Sequence, residues 1–182
     1  MPLKTFVKVG CITNLSDARY CAGMGADMLG FRAVEGQENY IEPLQFQEIR
    51  GWITGPLVVA EVYGLQNAED LPVILEKFKP DYLEMGLQEL AMFSTLPLPL
   101  VLTVNQTDDL ASLAVEPAYL ISQKPFETTF PLLIEVHEKA DVKTVLNDNK
   151  VAGVVLKGGR ELKPGLKDYE VLNEILELLD LD

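Results

Sequence analysis

The residues of this chain that can do chemistry recur at one place in its pattern. Several short apolar runs end on a charged side chain: Lys8, Arg32, Glu61, Glu84, Glu135 and Lys157, with Asn105 and Ser122 at two further run ends. The first run also carries Gly10 and Cys11 just before its turn. The last closes on Gly158-Gly159-Arg160, with Lys157 and Lys163 adding positive charge nearby. If the charged ends point to one mouth, two readings are open. A mixed-sign ring can bind a charged polar ligand, or it can pair with itself and close the top layer, since buried charges persist only when paired. The glycine turn can hold a phosphate through backbone N–H groups beside Arg160, or it is a plain turn. His137, just beyond the seventh run, is a solvated loop residue or a catalytic one.

The elements that must position these residues alternate regularly. Apolar, β-branched runs predict strands at Phe6–Ile12, Ala26–Phe31, Pro56–Tyr63, Asp81–Met85, Leu98–Val104, Ala118–Gln123, Pro131–Val136 and Val151–Leu156. Amphipathic stretches predict helices at Leu15–Met24, Leu44–Ile53, Ala68–Phe78, Gln88–Phe93, Asp108–Leu113, Asp141–Leu146 and Tyr169–Leu179. Asn14 or Ser16 is placed to cap the first helix, and Asp17 suits its dipole. Lys124–Phe130 is too short for a crossover helix, which needs ~10–12 residues with its strand connections. The pattern predicts an α/β fold, a short (β/α)8 barrel of the TIM type with helix six reduced or missing. An open doubly wound sheet is the competing architecture. A phosphate-binding turn after strand eight is common in such barrels, which favours the barrel.

The 182 residues suit one domain, residues 1–182, and 48% hydrophobic residues suffice for a core. A formal charge of −13 argues against a nucleic-acid partner, though not against a small anion in a local basic pocket. No apolar run approaches the ~20 residues of a membrane span, and the first residues lack a signal-peptide core. Cys11 and Cys21 form neither a disulfide framework nor a metal spacing. With one histidine, His137, no histidine-rich metal site is available. A reduced, cytoplasmic setting is expected, with no metal and no cofactor.

The two ends of the chain resemble the phosphoribosylanthranilate isomerases of tryptophan biosynthesis. That family opens with Lys-Ile-Cys-Gly-Ile-Thr and continues, after a helix, with Gly-Ala-Asp-Ala-Leu-Gly-Phe. This chain reads Lys8-Val9-Gly10-Cys11-Ile12-Thr13 and then Gly25-Ala26-Asp27-Met28-Leu29-Gly30-Phe31. Tyr40-Ile41-Glu42-Pro43 is similar to Tyr-Val-Ser-Pro, and Gly159-Arg160-Glu161-Leu162-Lys163-Pro164-Gly165-Leu166-Lys167-Asp168 to Gly-Val-Glu-Ser-Ser-Pro-Gly-Val-Lys-Asp. The match covers about the first quarter and the last sixth of the chain. In between, only the strand and helix rhythm agrees.

The resemblance implies a cofactor-free isomerase that performs an Amadori rearrangement on a phosphorylated aminosugar. The family's base is the cysteine of the first motif and its acid an aspartate ending strand six. Here the Cys-Gly order is inverted, so Gly10 takes the base position. Because side chains alternate along a strand, Lys8 and Gly10 point into the barrel and Cys11 towards the helices, unless a bulge turns it. Strand six ends Ile121-Ser122-Gln123 without an aspartate. The family's substrate-contacting arginine falls on Asn39, its strand-four histidine on Met85, and its strand-seven glycine pair on Val136-His137. Aligning Met85 with that histidine would turn Glu84 outward. The expected catalytic groups are Cys11 as base, with Lys8 and Glu135 as charged groups at the mouth. Gly158, Gly159 and Arg160 are the expected phosphate site, and Lys8 is expected to pair with Glu135 or Glu61. The partner is a small phosphorylated sugar or another small anion. The alternative is a non-catalytic barrel that binds a phosphate-bearing ligand or a protein partner.

Overall fold

The computed structural model describes residues 3–158, 160–163 and 166–180. Eight parallel strands close on one another in sequence order: β1 Phe6–Gly10, β2 Met28–Arg32, β3 Leu57–Glu61, β4 Tyr82–Gly86, β5 Leu100–Thr103, β6 Tyr119–Ser122, β7 Leu132–Glu135 and β8 Val151–Lys157. The helices are α1 Leu15–Gly23, α2 Pro43–Arg50, α3 Leu71–Phe78, the single turn α4 Leu87–Leu90, α5 Lys139–Leu146 and α6 Glu170–Leu179. The architecture is therefore the short (β/α)8 barrel that the alternation predicts, and the open sheet is excluded. The seam is well made: β1 and β8 stay in register from Phe6↔Gly153 to Gly10↔Lys157.

Alternation along each strand sorts the core into two parts. Val7, Val9, Leu29, Phe31, Val58, Ala60, Leu83 and Met85 face outward and are buried beneath the helices. Phe46 and Phe78 bring α2 and α3 onto this layer, and Phe46 also meets Phe31 edge to face. Inside the barrel, Val101, Ile121, Leu133 and Val155 form a small apolar cluster. Beneath it, Phe6, Tyr82 and Tyr119, each the first residue of its strand, plug the N-terminal end, with Phe6 stacked on Tyr119 and Tyr82 tilted against it. Filling the lower barrel with apolar side chains leaves the C-terminal end for charged ones.

Helix six is absent: among the described residues, β6 passes to β7 through bends and irregular chain alone. Helix five is absent too, which corrects the expectation of a helix at Asp108–Leu113. The Asp108 carboxylate accepts the N–H of Asn105, and Asp109 accepts the N–H of Ala111. Such local bonds compete with a helical turn. Leu110, Leu113, Val115, Phe126 and Phe130 of the two loops pack on the outer core in place of helices.

The stretch after β8 adds an element that the strand and helix alternation does not predict. It forms an antiparallel hairpin, β9 Arg160–Lys163 with β10 Leu166–Asp168, before α6. Asp168 thus ends a strand, and Tyr169 holds the N-cap position without a side-chain cap bond. At the other end, Asn14 caps α1 as expected, accepting the N–H of Asp17 at 2.9 Å. Asp17 itself is buried and accepts the Tyr169 hydroxyl, which ties α1 to the start of α6.

The seam generates a test. A Cβ on Gly153 would stand 2.3 Å from the Phe6 carbonyl oxygen and 2.8 Å from the Phe6 Cβ. Neither atom can retreat without moving β1. Gly153→Ala should cost ~1–3 kcal/mol or more by denaturant titration, as overpacking does. Gly23→Ala, where a Cβ meets nothing within 4 Å, should be neutral or stabilise by ~0.5–1 kcal/mol.

Candidate functional site

The mouth is built around Lys8. Parity on β1 sends its side chain inward, where it is completely buried. Nζ stands 2.9 Å from Glu61 Oε1 and 2.6 Å from Glu84 Oε2. Arg32, the last residue of β2, approaches the other Glu61 oxygen with Nε at 3.1 Å. These four residues lie on the inward parity of β1, β2, β3 and β4, Arg32 and Glu61 at the strand ends and Lys8 and Glu84 two residues before them, so the register itself assembles them. Two positive and two negative charges make the cluster neutral, as buried charges require.

Neighbouring side chains complete the network. The Tyr63 hydroxyl donates to Glu84 Oε1 at 2.8 Å and shares a short hydrogen bond with Thr103. Its ring lies beneath the Arg32 guanidinium, 4.6 Å from the centroid, in cation–π geometry. Sequence reasoning names neither Tyr63 nor Thr103 as part of the mouth. The available signal was parity: Tyr63 follows Glu61 by two positions, and Thr103 follows the inward Val101 by two. Deeper in the loops, Glu89 accepts the N–H groups of Gly64 and Gly86 and so ties the ends of β3 and β4 together.

Two glycines make room for the pair. A Cβ on Gly10 would meet Glu61 Oε1 at 2.5 Å and Lys8 Nζ at 3.0 Å. On Gly30 it would meet the same two atoms at 2.1 and 2.8 Å. The Gly10 position, where the resembled family carries its base, is thus filled by a side chain of β3 and one of β1.

Cys11 follows at a φ of 56°, in the left-handed region that non-glycine residues seldom occupy. This single residue, rather than a bulge within β1, turns the chain over the mouth. The outward orientation expected from alternation is therefore corrected. The Cys11 N–H points at both Glu61 oxygens, each 3.3 Å away, and Sγ lies 3.8 Å from Oε2. The thiol is half-buried at the corner between Glu61 and Arg32.

Electrostatics divides the two carboxylates. Burial penalises the Glu61 charge, but Lys8 and Arg32 outweigh it and hold its pKa below the ordinary range. Glu84 is raised: burial dominates, and the nearby Glu61 charge adds to it. Burial would lower Lys8, yet Glu61 and Glu84 hold it above its usual value. Burial, then Glu61, pushes the Cys11 thiol up. Tyr63 is raised by burial and by Glu84.

The other expected site residues lie apart from this cluster. Glu135 does not pair with Lys8. It ends β7 and faces His137, whose Nε2 is 3.9 Å from Oε2. These two line a cavity of about 370 Å³ with Gln123, Lys124 and Asp141, beside the connection that lacks a helix. Glu84 points inward, contrary to the orientation that the Met85 alignment suggests, and Met85 is buried in the outer core. Ser122 is buried and accepts the Lys124 N–H, while Ile121 belongs to the inner apolar cluster. The Gly158 N–H donates to the Gly10 carbonyl at 2.8 Å. It is therefore committed to the barrel seam and not free for an anion. Gly159 lies outside the described residues, and Arg160 opens β9.

Lys8 is the member on which the network turns. Lys8→Met leaves two buried carboxylates facing each other and should cost ~3–5 kcal/mol by denaturant titration at neutral pH. Glu84→Gln removes one of two like charges and should cost less than half as much. The pH dependence follows from the two opposite shifts. Glu61, depressed, stabilises above the ordinary carboxylate range and loses that contribution as pH falls. Glu84, raised, contributes at acid pH and loses that contribution as pH rises through its folded value. The two partly cancel on acidification, so Glu84→Gln should lose stability more steeply than wild type between neutral pH and about pH 4. A parallel decline in both proteins would contradict this division.

No protein-family model matches the sequence, and no curated protein matches it. Solved structures do match. The TrpF structure from Jonesia denitrificans superposes with a TM-score of 0.74 at 15% identity, covering 95% of both chains. Phosphoribosyl anthranilate isomerase from Thermus thermophilus gives 0.73 at 17%, covering 94% of this chain and 96% of its own. A phosphoribosyl anthranilate isomerase in complex with reduced 1-(o-carboxyphenylamino)-1-deoxyribulose 5-phosphate gives 0.68 at 16%, covering 95% and 97%. Over nearly its whole length, this chain has the fold of the phosphoribosylanthranilate isomerases.

Proposed function

We propose that this chain is a phosphoribosylanthranilate isomerase-type barrel that binds a small anion, a phosphorylated sugar foremost, and does not run the Amadori rearrangement at an enzymatic rate. One observation carries the reading: Lys8 and Glu61, buried and paired, occupy the space beside Gly10. A group locked in two ion pairs is a poor proton carrier. The deoxyribulose 5-phosphate derivative held by a structure of the same fold supports the ligand class. The turn Gly158-Gly159-Arg160 is the expected phosphate position, with one donor fewer because the Gly158 N–H is engaged.

The position of Cys11 favours a second reading, an isomerase with a displaced base. Its left-handed backbone brings the thiol to the mouth, 3.8 Å from Glu61. Its raised pKa counts against it, since a protonated thiol cannot accept a proton. Glu61, held low, is a weak acceptor for that proton. No aspartate ends β6 to act as acid, and Glu135 sits with His137 at the end of β7.

Acid and base groups each contribute typically ~10²–10⁴-fold. Their loss should leave turnover of phosphoribosylanthranilate below ~1 s⁻¹, the low end of ordinary enzymes. Fluorescence loss as the substrate is consumed measures it directly. A faster turnover that disappears in Cys11→Ser would establish the second reading.

A further inference from the structure

Within the buried network, solvent reaches one member far more than the others. The Arg32 side chain is 25% exposed, while Lys8, Glu61 and Glu84 are at 1%, 2% and 6%. An anion entering from the C-terminal end therefore meets Arg32 first.

Three features prepare its guanidinium to receive one. The Tyr63 ring lies under the plane at 4.6 Å and fixes its tilt. Nε is turned to Glu61, at 3.1 Å but without an aligned hydrogen bond, and the other neighbour within bonding reach of the guanidinium is the weak thiol partner Cys11. Glu61 is also satisfied by Lys8 at 2.9 Å and by the Cys11 N–H, so it does not depend on Arg32 alone. Arg32 can thus share its charge with a ligand without stranding a buried carboxylate. The planar fork of arginine suits carboxylate and phosphate oxygens in two parallel bonds.

By contrast, the Gly158 N–H is engaged in the seam. The corner between β1, β2 and β3 therefore offers a better-prepared oxyanion contact than the Gly158 amide.

We propose that Arg32, beside Cys11 and backed by Tyr63, is an oxyanion-binding site of the mouth, for a carboxylate or a phosphate group. This rests on the reading that the mouth takes a small anion. It assigns the grip to β2 rather than to the turn after β8.

The test is a titration of the intact chain with inorganic phosphate and, separately, with benzoate. It is followed by the Arg32 Nε–Hε and Cys11 amide signals in NMR, and repeated in Arg32→Lys and Arg160→Gln. Arg32→Lys keeps the charge and loses the fork. Shifts at Arg32 and Cys11 in wild type, and binding weakened about tenfold in Arg32→Lys but not in Arg160→Gln, are expected. The anion that binds more tightly identifies which oxyanion the corner prefers.

Shifts confined to residues 158–163, with Arg32→Lys binding as wild type does, would overturn the Arg32 site and leave the anion-binding reading intact. Absence of any shift at millimolar concentrations of both anions would overturn both. Because the wild-type signals report the site directly, the result stands even if Arg32→Lys folds poorly.

Discussion

The mouth of this barrel depends on one buried ammonium. Lys8 lies inside the ring of strands with no access to water, and desolvating it alone would cost several kcal/mol. Glu61 and Glu84 make its burial tolerable, and their own burial makes Lys8 indispensable to them. Each of the three would be a liability without the others. Arg32 brings the count of charges to neutral, and Tyr63 and Thr103 complete the hydrogen bonding around Glu84. The backbone is adapted to the same end, because any side chain at Gly10 or Gly30 would displace the pair.

That adaptation explains why the inverted Gly-Cys order is more than a shuffled motif. A cysteine at position 10 would place its Cβ 2.5 Å from Glu61 Oε1. A thiol there and a Glu61 carboxylate in its present position exclude each other. With glycine at position 10, the carboxylate moves in, and Cys11 turns its N–H onto it through a left-handed residue. The inversion, Glu61 and the backbone of Cys11 thus form one structural solution. The thiol keeps a place at the mouth but inherits a carboxylate neighbour that holds its proton in place.

Much of this was legible in the sequence, because it follows from period and parity. The eight apolar runs predict the barrel, and the short Lys124–Phe130 connection predicts the missing helix. Lys8, inward by alternation, is expected to pair with Glu135 or Glu61; alternation alone does not choose between them, and the structure pairs it with Glu61. Glu84 was harder to orient, because matching Met85 to a distant motif competed with plain alternation, and alternation prevailed. Cys11 was illegible for a different reason: a left-handed residue is signalled by glycine, and here the glycine stands one position earlier. Asp108–Leu113 looks helical in composition, yet Asp108 and Asp109 bind the local backbone instead. The hairpin after β8 had its signal in Pro164-Gly165, a turn dipeptide between two short stretches.

Fold and chemistry separate at a definable height in this molecule. The lower barrel, where Phe6, Tyr82 and Tyr119 pack below Val101, Ile121, Leu133 and Val155, needs only apolar side chains of the right size. Any chain that supplies them on the correct parity closes the same barrel, which is how likeness in fold persists at 13–17% identity. The top layer obeys a stricter rule, since charges there must balance in sign as well as fit in space. Once Lys8, Glu61, Glu84 and Arg32 satisfy one another, replacing any one of them singly leaves an uncompensated charge. Placing a thiol at position 10 would require the Glu61 carboxylate to shift, which would disturb its pairs with Lys8 and Arg32. A charge-balanced mouth is therefore hard to exchange one residue at a time, while the apolar layer below it can drift freely. This difference keeps the barrel recognisable while the character of its mouth is set by four side chains of its first four strands.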